Sequence, residues 1–135
     1  MSNQDIRWRQ RQQNFNRTLT LLEGALAIPE PDITQRAGII QFFEMAFELS
    51  WKMLKDYLEG QGFTDLNSPR VVLKKAFEVE LITNGRDWLQ ILQDRNLMSH
   101  TYNEATAVTV ENLIRHTYYP LLAALRQTML ERDHE

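Results

Sequence analysis

One segment limits the folds open to this chain more than any other. Between the helix breakers Pro29 and Pro31 and the glycines Gly60 and Gly62, apolar side chains recur at helical spacing on two faces. One face carries Ile40, Phe43, Phe47, Trp51, Leu54 and Leu58; the other carries Phe42, Ala46, Leu49 and Met53. A helix apolar over so much of its girth must be covered on two sides. It is either central in a bundle or shared with a second subunit. The spacing predicts this helix from about Gln35 to Glu59, with Thr34 as its N-cap and the glycines as its stop.

The segments around it read the same way. Trp8, Phe15, Leu19, Leu22 and Leu26 form one apolar stripe on a preceding helix. Ser68-Pro69 reads as an N-cap followed by proline in the first turn of a third helix, which carries Val72, Ala76 and Val79 and stops near Asn84-Gly85. A fourth runs from about Arg86 to Ser99 around Trp88, Leu89, Leu92 and Met98. Asn103 can cap a fifth, bearing Ala107, Val110, Ile114, Leu121, Leu125 and Met129. Pro120 lies inside that last pattern and predicts a kink, because it has no amide hydrogen and its ring clashes one turn back. The charged tail over residues 131–135 is expected to fray. No segment alternates like a strand. The expectation is all-α: one domain over residues 1–135, an antiparallel bundle of about five helices on a four-helix up-and-down core.

Composition excludes several functions. There is no cysteine, hence no disulfide, thiolate metal site or cysteine nucleophile. Apolar runs are too short to span a membrane, and the N-terminal MSNQDIRWRQRQQ has no signal-peptide core, so a cytoplasmic protein is expected. The net charge of −3 means that any nucleic-acid contact needs a local basic patch. Arg7, Arg9, Arg11 and Arg17 are one candidate, although such runs are commonly solvated helix faces. His100, His116 and His134 share no metal-ligand spacing, and there is no glycine-rich phosphate loop, so neither a metal nor a cofactor is expected.

Chemistry concentrates in Asp94-Arg95-Asn96-Leu97-Met98-Ser99-His100-Thr101-Tyr102-Asn103. Arg95 is a permanent cation with a planar fork of donors suited to phosphate, and histidine is the side chain suited to proton transfer near neutral pH. Arg95 and Ser99 share a helix face, whereas Arg95 and His100 stand about 140° apart on an ideal helix. They can address one substrate only if the helix ends near Ser99, as the new capping signal at Asn103 indicates. Spacing alone also allows a structural account: His100 caps the helix, Arg95 pairs with Asp94 or a glutamate, and Tyr102 packs across the turn. Glu44 and Glu48, one turn apart, could pair with each other, or one could be solvated while the other anchors Arg95 or Lys52.

The run Arg-Asn-Leu-Met-Ser-His-Thr-Tyr, an Arg-x4-His-x-Tyr motif, resembles the signature of the HEPN superfamily. More narrowly, it is similar to the small proteins called nucleotidyltransferase substrate-binding subunits, or HepT-like toxins. Phe47-Glu48-Leu49-Ser50-Trp51-Lys52, Ser68-Pro69-Arg70 and Tyr119-Pro120 carry the likeness along nearly the whole chain. The resemblance implies an all-helical homodimer whose two motifs meet in a shared cleft. It also implies a cognate partner, a minimal nucleotidyltransferase of the MNT or MntA kind acting as antitoxin.

Two functions follow as expectations. The first is a metal-independent ribonuclease toxin: His100 moves the proton of the RNA 2′-hydroxyl, Arg95 holds the phosphate, and Asn96 orients phosphate or histidine. Glu48 supports Arg95, and Tyr102 lies beside the phosphate. The resemblance makes Tyr102 the residue to which the partner adds AMP, placing negative charge and bulk in a cationic pocket. The second is a non-catalytic subunit that binds a nucleotide or other substrate for the nucleotidyltransferase. Sequence alone does not separate binding a phosphate from cleaving beside it.

Overall fold

The computed structural model describes residues 3–133 and contains, in chain order, α1 (Asn3–Leu26), α2 (Ile33–Gly60), α3 (Pro69–Glu78), α4 (Gly85–Met98) and α5 (Glu104–Leu113). A π-helical turn (Ile114–Tyr118) and α6 (Tyr119–Arg132) follow. Five rods result, since α5, the π turn and α6 run on without a break. Among the described residues there is no strand.

Side-chain pairings fix the directions of the rods. Arg11, early in α1, meets Asp56, late in α2, at 2.6 Å, and Trp8 meets Tyr57 edge-on with ring centroids 5.2 Å apart. Arg9 at one end of α1 holds Asp133 just beyond α6, while Glu23 at the other end holds Tyr119 and Arg126 of α6. Both α2 and α6 therefore run antiparallel to α1. The stripe read on α1 is buried at Trp8, Phe15, Leu19 and Leu22. At the centre Phe43 is fully enclosed, its ring stacked 5.5 Å from Tyr118 and 6.2 Å from Phe47. Rings in this arrangement contribute beyond the area that they bury.

Several boundaries differ from the sequence expectation. The N-cap of α2 is Asp32, not Thr34: its carboxylate accepts from the Gln35 amide while the Gln35 side chain accepts from the Asp32 amide, a reciprocal capping box. Helix α3 stops at Glu78, well short of Asn84, because Glu80 takes a left-handed conformation at φ 66° and the Leu81 amide closes back on the Ala76 carbonyl. The interruption expected at Pro120 lies just before it, as the π turn. Proline offers no hydrogen to the carbonyl four residues back, and the chain widens so that the Tyr119 amide reaches the Ile114 carbonyl instead. The tail does not fray as far as Asp133, which Arg9 clamps; His134 and Glu135 lie outside the described residues. The expected caps Ser68 and Asn103 are both in place, accepting from Val71 and Thr106.

Candidate functional site

Helices α2 and α4 place the site. Glu44, Glu48 and Lys52 succeed one another by single turns on one face of α2, and Arg95 comes from the last turn of α4. The Arg95 guanidinium donates to Glu48 Oε2 at 2.8 Å, and Lys52 Nζ stands 3.5 Å from Glu48 Oε1. Of the two expectations for the glutamates, the anchoring one is met, and Glu48 holds both Arg95 and Lys52. Beneath the pair lies Phe47, with the guanidinium carbon 5.5 Å from its ring centroid, within cation–π range. Arg95 is 45% exposed. Of its five donors, one is committed to Glu48 and the rest have no acceptor among the described residues.

Beside Arg95 opens a cavity of about 590 Å³, lined by Glu44, Met45, Leu49, Ile91, Met98 and Ser99 together with the Phe47, Glu48 and Arg95 already described. Its walls are mostly apolar, with charge at one rim. Burial raises the pKa of Glu44 above the ordinary value of 4.5, although the Arg95 charge acts in the opposite sense. Part of α2 remains open here: Met45 is 42% exposed and Phe42 and Leu49 of the second face are half-buried, whereas Ala46 and Met53 of that face are fully buried.

Helix α4 ends at Met98, as the capping signals required. A tight turn follows: the His100 amide donates to the Leu97 carbonyl, and the His100 carbonyl accepts from the Asn103 amide, each at 3.1 Å. The Ser99 hydroxyl bonds the Asn96 carbonyl at 2.8 Å, and Thr101 bonds that of Met98. His100 and Asn96 are exposed; Tyr102 is 85% exposed, its ring set edge-on to His100 at 6.0 Å. Tyr102 is thus not packed across the turn. Arg95 and Ser99 line the cavity, and His100 is not part of its wall. One contact escaped sequence reasoning: the buried Tyr118 phenol, from the π turn, donates to the Asp94 carboxylate immediately before Arg95. No local pattern links residues so far apart in the chain. Among the described residues no group of three or more His, Asp or Glu side chains gathers as a metal site, and no helix is long and apolar enough to cross a membrane.

Residues 10–131 match the family model described as nucleotidyltransferase substrate binding protein like. A curated relative from Haemophilus influenzae, named probable ribonuclease HepT, is 34% identical over 94 residues, which span 60% of this chain and 60% of that protein. A crystal structure of a Thermus thermophilus protein is 33% identical and superposes with a TM-score of 0.72, covering 87% of this chain and 97% of the other. A second structure, from Haemophilus influenzae, has been described as revealing the fold of a substrate-binding domain of a nucleotidyltransferase. It is 24% identical, has a TM-score of 0.77 and the same coverage of 87% and 97%, and bears on the fold alone. With a family match over most of its length on an all-helical bundle, this chain belongs to the nucleotidyltransferase substrate-binding protein family and is a homologue of the H. influenzae protein named probable ribonuclease HepT.

Proposed function

We propose that this protein is a metal-independent ribonuclease toxin that works as a homodimer. In this reading a partner minimal nucleotidyltransferase silences it by transferring AMP to Tyr102. The observation that carries the reading is the state of Arg95: half-exposed, held by a single carboxylate and set at the rim of a cavity, with His100 on the exposed turn that follows. The H. influenzae relative's name, probable ribonuclease HepT, supports the same reading.

RNA brings its own nucleophile. An imidazole takes the proton of the 2′-hydroxyl, O2′ bonds to phosphorus, and the P–O5′ bond breaks as the departing oxygen gains a proton. The products are a 2′,3′-cyclic phosphate and a free 5′-hydroxyl. Proton transfer of this kind contributes about 10²–10⁴-fold. Arg95 meets the extra negative charge of the phosphorane, and Glu48 fixes its direction. Asn96, exposed on the last turn of α4, orients the phosphate. A second copy packed over the open part of α2 covers Met45 and Leu49 and brings its own His100 toward the cavity, whose wall lacks the first copy's His100. Two imidazoles then serve as base and acid. At 85% exposure Tyr102 is open to a modifying enzyme, and an added phosphodiester competes with RNA for Arg95.

The test is cleavage of RNA in EDTA by protein expressed without its partner. Wild type cuts; Arg95→Ala and His100→Ala each lose about 10²-fold or more of that activity with an unchanged helical spectrum. If both variants cut as well as wild type, the ribonuclease reading fails. If wild type binds nucleotides without cutting RNA, the substrate-binding subunit replaces it. Intact mass after co-expression with the nucleotidyltransferase should show adenylyl increments that Tyr102→Phe removes.

A further inference from the structure

We propose that the groove between the start of α1 and the last turns of α2 is a second RNA site. It would bind the sugar-phosphate strand that leads away from the Arg95 cavity. The inference rests on the ribonuclease reading and extends it from the scissile phosphate to its neighbours.

The groove has a volume of about 260 Å³ and is lined by four cations, Arg7, Arg11, Lys52 and Lys55, with Trp51 and the acids Asp56 and Glu59. The acids do not balance it. Asp56 has a side chain only 5% exposed and is already committed to Arg11 at 2.6 Å. Arg7 and Lys55 form no ion pair among the described residues, and Glu59 is the one remaining acid of the groove set against the two, so the lining keeps a net positive charge. The arginine run of the N-terminal helix thus divides: Arg9 turns to Asp133 and the Trp8 ring, while Arg7 and Arg11 enter the groove.

Two further observations favour RNA over an acidic protein segment. The first is continuity. Glu48 Oε2 holds Arg95, and Glu48 Oε1 lies 3.5 Å from Lys52, so the cavity and the groove meet at a shared pair. From Glu48 to Lys55 is about 10 Å along α2 at 1.5 Å per residue, so the cations follow one line away from Arg95. The second is Trp51. Its half-buried ring lies beside Lys52, with Nζ 6.0 Å from the centroid, and its indole N–H is enclosed without an acceptor. A cationic groove containing an aromatic ring is how single-stranded nucleic acid is held without regard to sequence. An orphan donor there is costly and is met by a phosphate or base oxygen after a small ring movement.

The experiment uses His100→Ala protein, so that RNA survives, and a fluorescein-labelled single-stranded RNA read by anisotropy across a salt series. Adding Arg7→Ala and Lys55→Ala together should weaken binding about ten- to thirty-fold near 0.1 M salt and reduce the salt slope by about 1.4, the value for two lost phosphate contacts. In the active background the KM for long RNA should rise by a similar factor. RNA should also quench tryptophan emission, and Trp51→Phe should remove the quench, because Trp8 and Trp88 are buried. Lys55→Glu, alone, is the check if the double variant loses its helical spectrum; it should weaken binding further than Lys55→Ala. Unchanged affinity and slope in the folded variants overturn the proposal, including the case in which only association with an acidic partner protein is lost. If wild type cuts no RNA but the groove variants still lose affinity, the ribonuclease reading fails while the groove stands.

Discussion

Two arginine-centred clusters in this bundle have opposite characters. At the loop end of α1 and α2, Arg115 commits three of its five donors, one from each nitrogen: it donates to Glu111 at 2.7 Å and to the backbone carbonyls of Leu26 and Ile28 at 2.7 and 2.9 Å. Arg36 takes the other Glu111 oxygen at 2.8 Å and the Pro31 carbonyl. The Glu111 side chain is only 9% exposed between them. Arg95, by contrast, spends one donor on Glu48 and leaves the others at a cavity rim. A guanidinium engaged through all three of its nitrogens ties helices and a loop together. One with donors to spare can receive an anion. Residue type and charge are identical in the two places, and only the number of satisfied donors separates structure from candidate chemistry.

The contrast can be broken most forcefully at Glu111. Glu111→Ala leaves two largely buried cations facing each other, and thermal unfolding should show a loss of about 3–5 kcal/mol. At roughly 3 °C per kcal/mol for a chain of this size, Tm falls by about 10 °C. A drop of a degree or two would mean that the cluster is no more structural than the one at Arg95.

Acid titration is the next largest effect. Burial works to raise the Glu111 carboxyl, but the hydrogen bonds and charges of Arg115 and Arg36 outweigh it and hold the pKa below 4.5. Glu23 is likewise lowered, chiefly by its hydrogen bond from Arg126. Groups depressed in the folded state stabilise it above their unfolded pKa, and that stability is lost as pH falls through the folded values. Tm should therefore decline below about pH 4.5, and Glu111→Gln should flatten the decline.

Arg95→Ala sharpens the comparison from the other side. Its ion pair with Glu48 is exposed, so stability should change by less than about 1 kcal/mol, while the proposed RNA cleavage should collapse. A large loss of Tm would make Arg95 a structural residue after all.

The smallest effect belongs to Glu44, whose carboxyl is raised by burial. A raised carboxyl costs stability while ionised and recovers it as pH falls through the folded value. Glu44→Gln should thus give a slight gain in Tm at pH 7 that vanishes in acid; a loss at pH 7 would contradict the assignment.

Legibility in the sequence followed the range of each interaction. Ser68-Pro69 and Asn103 could be read because a cap bonds an amide three residues away. The true cap of α2 was equally local, since Asp32-Ile33-Thr34-Gln35 spells a capping box, yet Thr34 was the more conspicuous candidate. The early stop of α3 was not readable: a non-glycine residue, Glu80, takes the left-handed position of a Schellman close, in which its amide donates to the Phe77 carbonyl and that of Leu81 to the Ala76 carbonyl. Around the site, the exposed Arg95 to Tyr102 run and the alternatives for Glu48 were visible. The absence of His100 from the cavity wall and the bond from Tyr118 to Asp94 were not, because they depend on how a turn folds and on helices packed from distant parts of the chain.

The π turn at Ile114–Tyr118 bears on how this chain can change length. A ring closed between residues five apart holds one residue more than an α-helical ring, so the turn is a helix carrying a single insertion. Beyond it, Leu121, Leu125 and Met129 keep the facing that an unbroken α-helix one residue shorter would give them. A deletion at Thr117, combined with an alanine at Pro120, leaves every apolar position of α6 in phase. The same deletion within α5 or α6 rotates all that follows by about 100° and turns the core outward. A one-residue deletion therefore has an inexpensive location in the last rod of this chain, where it changes the type of helix and leaves the fold as it is.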